Sequence, residues 1–363
     1  MSNDNAAADQ RTPLTPDMDW SYLYGSEPQS SALFKVQPED FQVTEILGFT
    51  PDEDSKGQHH WLYIEKRGAN TEFVARQIAR YVDVAPKEVS YSGLKDRHAV
   101  TMQWFSVQLP ATREVDWDAL QHSEYTVLRH LRVGRKLRRG THQANEFKIL
   151  LRDVEGRDDI EQRLALIASQ GVPNYYGEQR FGHDGQNLNK AAAMFAGKRI
   201  KDRNLRSMLL SSARSYIFNC VVSQRIEQKL EQTLLDGDVL MLQGSNSFFV
   251  FDDASQREDI EARLEAGDVA FSAPLWGRGE MLASGAAAEF ERQAIPNLEG
   301  FLDGLERAGL KQERRQLSLR PEGFSWQWLG QHLELSMRLP TGTFATSVLR
   351  ELVTIRDAQQ DDV

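Results

Sequence analysis

Apolar and polar residues alternate with a period of two in several short stretches of the chain. Phe41, Val43 and Glu45 alternate with Gln42, Thr44 and Ile46; the same beat recurs through Phe105, Val107 and Leu109, through Phe147, Ile149 and Leu151, and through Leu333, Leu335, Met337 and Leu339. Side chains change face at each residue of a strand, so each stretch predicts a strand with one buried face. Further strands are predicted over residues 34–36, 60–66, 89–91 and 104–107, with Pro110 ending the one that holds Phe105. Helical spacing follows Asn70-Thr71, a capping pair, through Val74, Ile78 and Tyr81. Residues 159–170 make a second helix that Gly171 stops, and 213–235 and 344–353 two more. Strands and helices without a strict βαβ rhythm predict an α+β fold, a mixed or antiparallel sheet flanked by helices.

At 363 residues the chain has room for two domains, each with its own core. Residues 1–31 are polar and acidic with Pro13, Pro16 and Pro28, and read as a loose tail. No apolar run approaches a membrane span and no signal peptide opens the chain, so a cytoplasmic protein is expected. The single cysteine, Cys220, excludes an internal disulfide and a cysteine-based metal site; its apolar helical neighbours predict a buried thiol. A net charge of −10 argues against a nucleic-acid partner until its distribution is considered. Residues 1–54 carry eleven acids against Arg11 and Lys35, and residues 231–270 ten acids against Arg257 and Arg263. Residues 129–139, by contrast, hold six cations and no acid, and residues 198–206 five cations against Asp202. Two basic clusters in an acidic chain suggest an RNA-binding face, although a solvated surface would carry the same charges.

The densest chemistry lies in Gly93-Leu94-Lys95-Asp96-Arg97-His98-Ala99-Val100-Thr101-Met102-Gln103. Here one carboxylate stands between two cations on a turn between predicted strands, which aims it outward and favours its ionised form. That is what a carboxylate nucleophile or base requires. Dinucleotide, P-loop, serine-hydrolase and zinc-protease signatures are missing from the chain. His59-His60 is no metal pair, since adjacent strand residues point to opposite faces. No cofactor and no metal are indicated.

The string Gly93-Leu94-Lys95-Asp96-Arg97-His98-Ala99-Val100-Thr101 resembles the signature of the TruD family of tRNA pseudouridine synthases. Further similar segments follow the family's order: residues 35–45, Asn70-Thr71, Asn145-Glu146-Phe147, 172–182 and Pro340-Thr341-Gly342-Thr343-Phe344. The resemblance spans about residues 32–352 and implies a pseudouridine synthase-like catalytic domain interrupted by a second, family-specific α+β domain. On that basis residues 32–171 and 318–363 form the catalytic domain, and 172–317 the inserted one. It implies Asp96 as the catalytic residue and uridine 13 of tRNA as the target. Lys35 becomes the candidate cation beside Asp96, and Phe41, Asn145 and Phe344 match positions that contact the target nucleotide. Phe147 stands in the pocket region with a packing role beneath the base. Lys95 and Arg97 are expected to face the RNA backbone, as are Arg132, Arg135, Lys136, Arg138 and Arg139 of the basic run. Whether the carboxylate is a nucleophile or removes a C2′ proton stays open. The partner implied is tRNA, with neither a membrane nor an obligate protein partner. A non-catalytic RNA-binding or RNA-folding protein with the same pocket is the alternative.

Overall fold

The structure, a computed structural model, describes residues 16–356, which fall into two compact units. One comprises Glu27–Gly171 and the segment from Arg320 on; the other comprises residues 16–26 and Val172–Leu319. In chain order the first unit supplies strands β1 (Ser31–Leu33), β2 (Phe41–Ile46), β3 (His59–Arg67), β4 (Val89–Tyr91), β5 (Val100–Gln108), β6 (Tyr125–Val133) and β7 (Ala144–Glu155), with helices α1 (Thr71–Tyr81) and α2 (Arg157–Gln170). The other unit follows with β8 (Val172–Pro173), α3 (Gln186–Phe195), α4 (Arg203–Glu227), β9 (Val239–Leu242), β10 (Phe248–Val250), α5 (Arg257–Glu265), β11 (Val269–Leu275), α6 (Gly285–Gln293), α7 (Glu299–Arg307), β12 (Glu313–Gln316) and β13 (Ser318–Leu319). The chain then returns to the first unit with β14 (Glu322–Leu329), β15 (His332–Pro340), α8 (Ala345–Leu352) and β16 (Thr354–Arg356).

The fold is α+β, built on a mixed sheet. Its strands run in the order β14-β15-β7-β2-β5-β3-β6, with β1, β4 and β16 attached to the side. β2 and β5 are parallel, whereas β7 lies antiparallel to both β2 and β15. The register decides which side chains share a face. Phe41 pairs with Ile149, Val43 with Phe147 and Glu45 with Asn145, while Thr101 of β5 stands beside Val43 and opposite Lys66 of β3. One face of the sheet therefore carries an aromatic cluster and, beside it, a run of polar groups. Farther along this face α1 covers Leu62, Ile64 and Phe105 with Val74 and Ile78, all wholly buried. Each such aliphatic side chain contributes roughly 1.5–3 kcal/mol. The opposite face is sealed by Trp61, Trp104, Leu131 and Val133 together with Leu47 and Leu137.

The other unit has a four-stranded sheet, β10-β9-β11-β12. Two buried ion pairs sit within it: Arg225 grips Asp238 through two bonds of 2.8 Å, and Arg314 grips Glu291 at 2.7 and 3.1 Å. Cys220 lies in α4, half-buried rather than wholly buried, and desolvation pushes its thiol up to about 12, which keeps it protonated at neutral pH.

Three expectations change. The strand expected at 34–36 lies at 31–33, because Lys35 adopts φ 57°, a left-handed conformation incompatible with a strand. The helix expected over 213–235 runs from Arg203 to Glu227. It is capped by Asp202, which accepts the N–H groups of Asn204 and Leu205, and Lys229 at φ 57° leaves the helical path. The tail expected over 1–31 is packed where it is described. Trp20 is buried against Tyr175 and Tyr216, Ser21 binds Ser223, and Ser30 binds Asp159 through both its N–H and its hydroxyl. Residues 1–15 lie outside the described residues. Among the described residues no helix is long and apolar enough to cross a membrane.

Candidate active site

Asp96 sits on the loop that joins β4 to β5, and three buried side chains hold that loop. Thr71, the first residue of α1, accepts the Lys95 N–H at 3.0 Å and donates to Gln103 Oε1 at 3.0 Å. Gln103 in turn donates through Nε2 to the Gly93 carbonyl at 3.0 Å. Lys66 reaches from β3 and donates to the carbonyls of Asp96 and Ala69, both at 2.8 Å. Close packing also requires Gly93, since a methyl group there would come within 3.0 Å of His142 Cε1. Pinned on both sides, the loop presents the Asp96 carboxylate with 38% of its side chain exposed.

The partner of that carboxylate is Lys35, whose Nζ lies 2.5 Å from Oδ2. The left-handed turn of Lys35 is a local strain that surrounding contacts must hold. Its ammonium rests over the Phe41 ring, 4.2 Å from the centroid, and 5.2 Å from that of Phe34. Phe41 packs edge-on against Phe34 and lies 5.8 Å from Phe147. The turn leading into β2 is fixed by buried Asp40, which accepts the Gln37 N–H at 3.1 Å and is gripped by Arg152, with one bond of 2.7 Å. Phe41 and Phe147 are both buried, so the aromatic group is chiefly a floor that seats the lysine.

Lys95 does not face outward. Its Nζ pairs with Glu45 Oε2 at 3.0 Å, with the two side chains only 5% and 0% exposed. Chain neighbours on a tight loop diverge, and here the lysine turns under the sheet edge while Asp96 turns out. Burial pushes the Glu45 carboxyl above its ordinary range, against the pull of Lys95. Beside this pair, Ser92 Oγ accepts the His142 N–H at 2.8 Å and lies 2.6 Å from His142 Nδ1. Burial brings the imidazole down to about 4, so His142 is neutral at pH 7. Its Nε2 lies 3.5 Å from the amide nitrogen of Asn145, whose Oδ1 is buried without a partner among the described residues. Thr341 binds the carbonyls of His142 and Gln143, which brings the 341–344 turn to this edge and places Phe344, half-buried, at the start of α8.

A family model described as tRNA pseudouridine synthase D (TruD) matches residues 17–201 and 185–352. The chain belongs to the TruD family. A tRNA pseudouridine synthase D of Aeromonas hydrophila is 48% identical over 338 residues, 93% of this chain and 95% of that protein. That of Methylococcus capsulatus is 48% identical over 322 residues, 88% of this chain and 90% of the other. A crystal structure titled putative tRNA pseudouridine synthase D (TruD) from Methanosarcina mazei shares the fold, with a TM-score of 0.69 at 21% identity. The match covers 93% of this chain and 95% of that one.

The basic groups of this TruD-family chain divide by their contacts. Arg97 is exposed, and its side chain reaches the Gly68 carbonyl at 3.4 Å. Arg132 is committed to the fold: it binds Glu114 at 3.0 Å and the carbonyls of Gly57 and Ala111, with its side chain 17% exposed. It is not a free phosphate ligand. Arg135, Lys136, Arg138 and Arg139 are all exposed; Arg135 lies over Phe49, and Arg139 binds the Tyr91 hydroxyl at 3.2 Å. In the other unit Lys198, Arg199, Lys201, Arg203 and Arg206 are exposed and make no ion pair among the described residues. No cluster of three or more His, Cys, Asp or Glu among the described residues is arranged to hold a metal ion. Sequence reasoning missed Lys66, Glu45, Ser92 and His142 as parts of the site, and took Thr71 only for a helix start. Lys66 had a signal, since it continues the buried phase of Leu62 and Ile64 in β3.

Proposed function

We propose that this chain isomerises uridine to pseudouridine in tRNA, with Asp96 as the catalytic carboxylate and uridine 13 as the target. The observation that carries the reading is the Lys35–Asp96 pair: an accessible carboxylate, on a loop fixed by buried bonds, with an ammonium seated on an aromatic floor. The reaction breaks the N1–C1′ bond, turns the uracil and joins C5 to C1′. N1 gains a proton and C5 loses one, so no oxidant, energy source or cofactor enters the balance. Asp96 begins as a carboxylate whether it attacks the substrate or takes the C2′ proton. Lys35 opposes it with positive charge in either route. A uridine within folded tRNA must first leave its stack to reach such a loop. Asn145 offers its amide to the extruded nucleotide, Phe344 a ring, and Phe41 and Phe147 the floor beneath. Arg97, Lys136 and Arg138 are the groups free to meet phosphates, with Arg135 and Arg139 beside them. A cytoplasmic setting is part of this proposal.

The test is to incubate pure protein with unmodified tRNA and map pseudouridine by carbodiimide modification and primer extension. The wild-type chain is expected to create one new site, and Asp96→Asn none, while the variant binds tRNA within about threefold of wild type, because the near-isosteric amide can act neither as nucleophile nor as base. Binding without a new site by the wild-type protein would favour the non-catalytic alternative. Turnover by Asp96→Asn at about a tenth of the normal rate would remove Asp96 from the reaction.

A further inference from the structure

Asp96 is held at both ends by lysines. Lys35 meets its carboxylate from solvent, and Lys66 meets its main-chain carbonyl from inside the protein. Lys66 has no exposed surface. Lysine is among the residues least often buried, and desolvating an ammonium is costly unless its hydrogen bonds are made. Here burial brings the group down to about 8, with Asp96 pulling the other way. A Met would fill the same buried space without that cost. What the ammonium adds is a bridge between two loops. The carbonyl of Ala69 belongs to the turn before α1 and that of Asp96 to the loop before β5, and Lys66 donates 2.8 Å bonds to both. The two loops are also joined by Gly68 N–H to the Ala99 carbonyl at 3.2 Å. No other side chain bonds to the main chain of Asp96 itself among the hydrogen bonds of the described residues.

We propose that Lys66 is a positioning residue for pseudouridine formation: its buried ammonium holds the Asp96 peptide so that the carboxylate stands at a defined height beside Lys35 and the flipped uridine. This rests on the assignment of Asp96 as the catalytic group. The role is distinct from substrate binding, since Lys66 cannot touch RNA. Misplacing a reacting group by about 1 Å costs roughly 10²-fold in rate, and loss of the Lys66 bonds frees the loop on the side away from Thr71.

The experiment measures the single-turnover rate and the tRNA dissociation constant separately for the full-length chain carrying Lys66→Met, Lys35→Met or both. Lys66→Met is expected to slow the chemical step by roughly 10²-fold and to change the dissociation constant by less than about threefold. The two lysines act on one residue, so the double variant should lose at least about tenfold less than the product of the single losses. A general loss of structure would not couple to Lys35 in this way. If Lys66→Met does not fold, Lys66→Gln, which is uncharged and shorter, enters the same cycle. A rate within about threefold of wild type in a folded variant, or losses that multiply independently, would overturn the proposal. An inactive wild-type protein would instead count against the pseudouridine synthase reading, so the two failures are separable.

Discussion

Replacing Lys95 by Met separates a fold-holding lysine from an RNA-binding one. Its ammonium lies 3.0 Å from Glu45 Oε2, in side chains 5% and 0% exposed. Removing one member of a buried pair strands the other, at about 3–5 kcal/mol. For units of this size each kcal/mol moves the melting temperature by about 2–4 °C, so a fall of about 6–20 °C is expected. Two facts favour the lower part of that interval. Burial already holds the Glu45 carboxyl above its usual range, so it can take up a proton once Lys95 is gone, and Oε1 keeps the Trp104 N–H at 3.3 Å. Adding Glu45→Gln, which retains an acceptor for Trp104, should therefore recover more than half of the loss. Thermal melts followed by circular dichroism at pH 7 give the stabilities, and a salt titration of tRNA binding supplies the second readout. If Lys95→Met melts within about 2 °C of wild type, the buried-pair argument is wrong. A log affinity versus log salt slope shallower by about 0.7–0.9 would then make Lys95 a phosphate contact after all.

Acid should weaken the first unit through His142. Its folded-state value of about 4 lies below the ordinary 6.5, so the unfolded chain binds the proton more tightly between those values. The contribution is whole above pH 6.5 and declines as the pH falls to 4, by about 3 kcal/mol at most. Glu45, shifted upward, works in the opposite sense, so the comparison must be between wild type and His142→Gln: urea midpoints that fall equally in both between pH 7 and 4 would contradict the assignment. On the exposed surface, neutralising Lys136 and Arg138 together should weaken all tRNAs alike and flatten the salt slope by about 1.4–1.8, at roughly 0.7–0.9 per phosphate contact. An unchanged slope would turn attention to the exposed residues around Lys198 to Arg206.

Much of the catalytic sheet was legible because alternation is a direct record of burial. The phases of Phe41 with Val43 and of Leu333 to Leu339 survive as β2 and β15, each with one buried face. The α1 helix begins at Thr71 and buries Val74 and Ile78, as its spacing indicated, but leaves Tyr81, expected on the same side, exposed. The site was harder to read. Whether Lys95 or Asp96 turns outward depends on Thr71, which lies well before the loop in sequence, and on its bond to Gln103, which no local pattern announces. Arg132 looked like its neighbours in a basic run, yet strand alternation in β6 sends it toward Glu114 and the Gly57 carbonyl. His142 lacked any local signal, because Ser92 and Glu45, which complete its environment, lie on two distant segments, and only Asn145 is near it in sequence. The early start of α4 was missed for a different reason. Its first turn is basic and exposed, and only the cap at Asp202 marks the boundary.

The strand order has a consequence for synthesis on the ribosome. β7 pairs with β2 on one edge and with β15 on the other, yet β15 begins at His332, long after β7 ends at Glu155. At a translation rate of about 5–20 residues per second, the β15 edge of β7 stays unpaired for roughly 10–35 s while residues 156–331 are made. That edge alternates Phe147, Ile149 and Leu151 on one side, the kind of strand that recruits foreign partners when bare. Chains that stall or are cut within residues 172–319 would therefore expose an aggregation-prone edge. Nascent-chain quality control, rather than catalysis, is the setting in which the split arrangement of this sheet carries a cost.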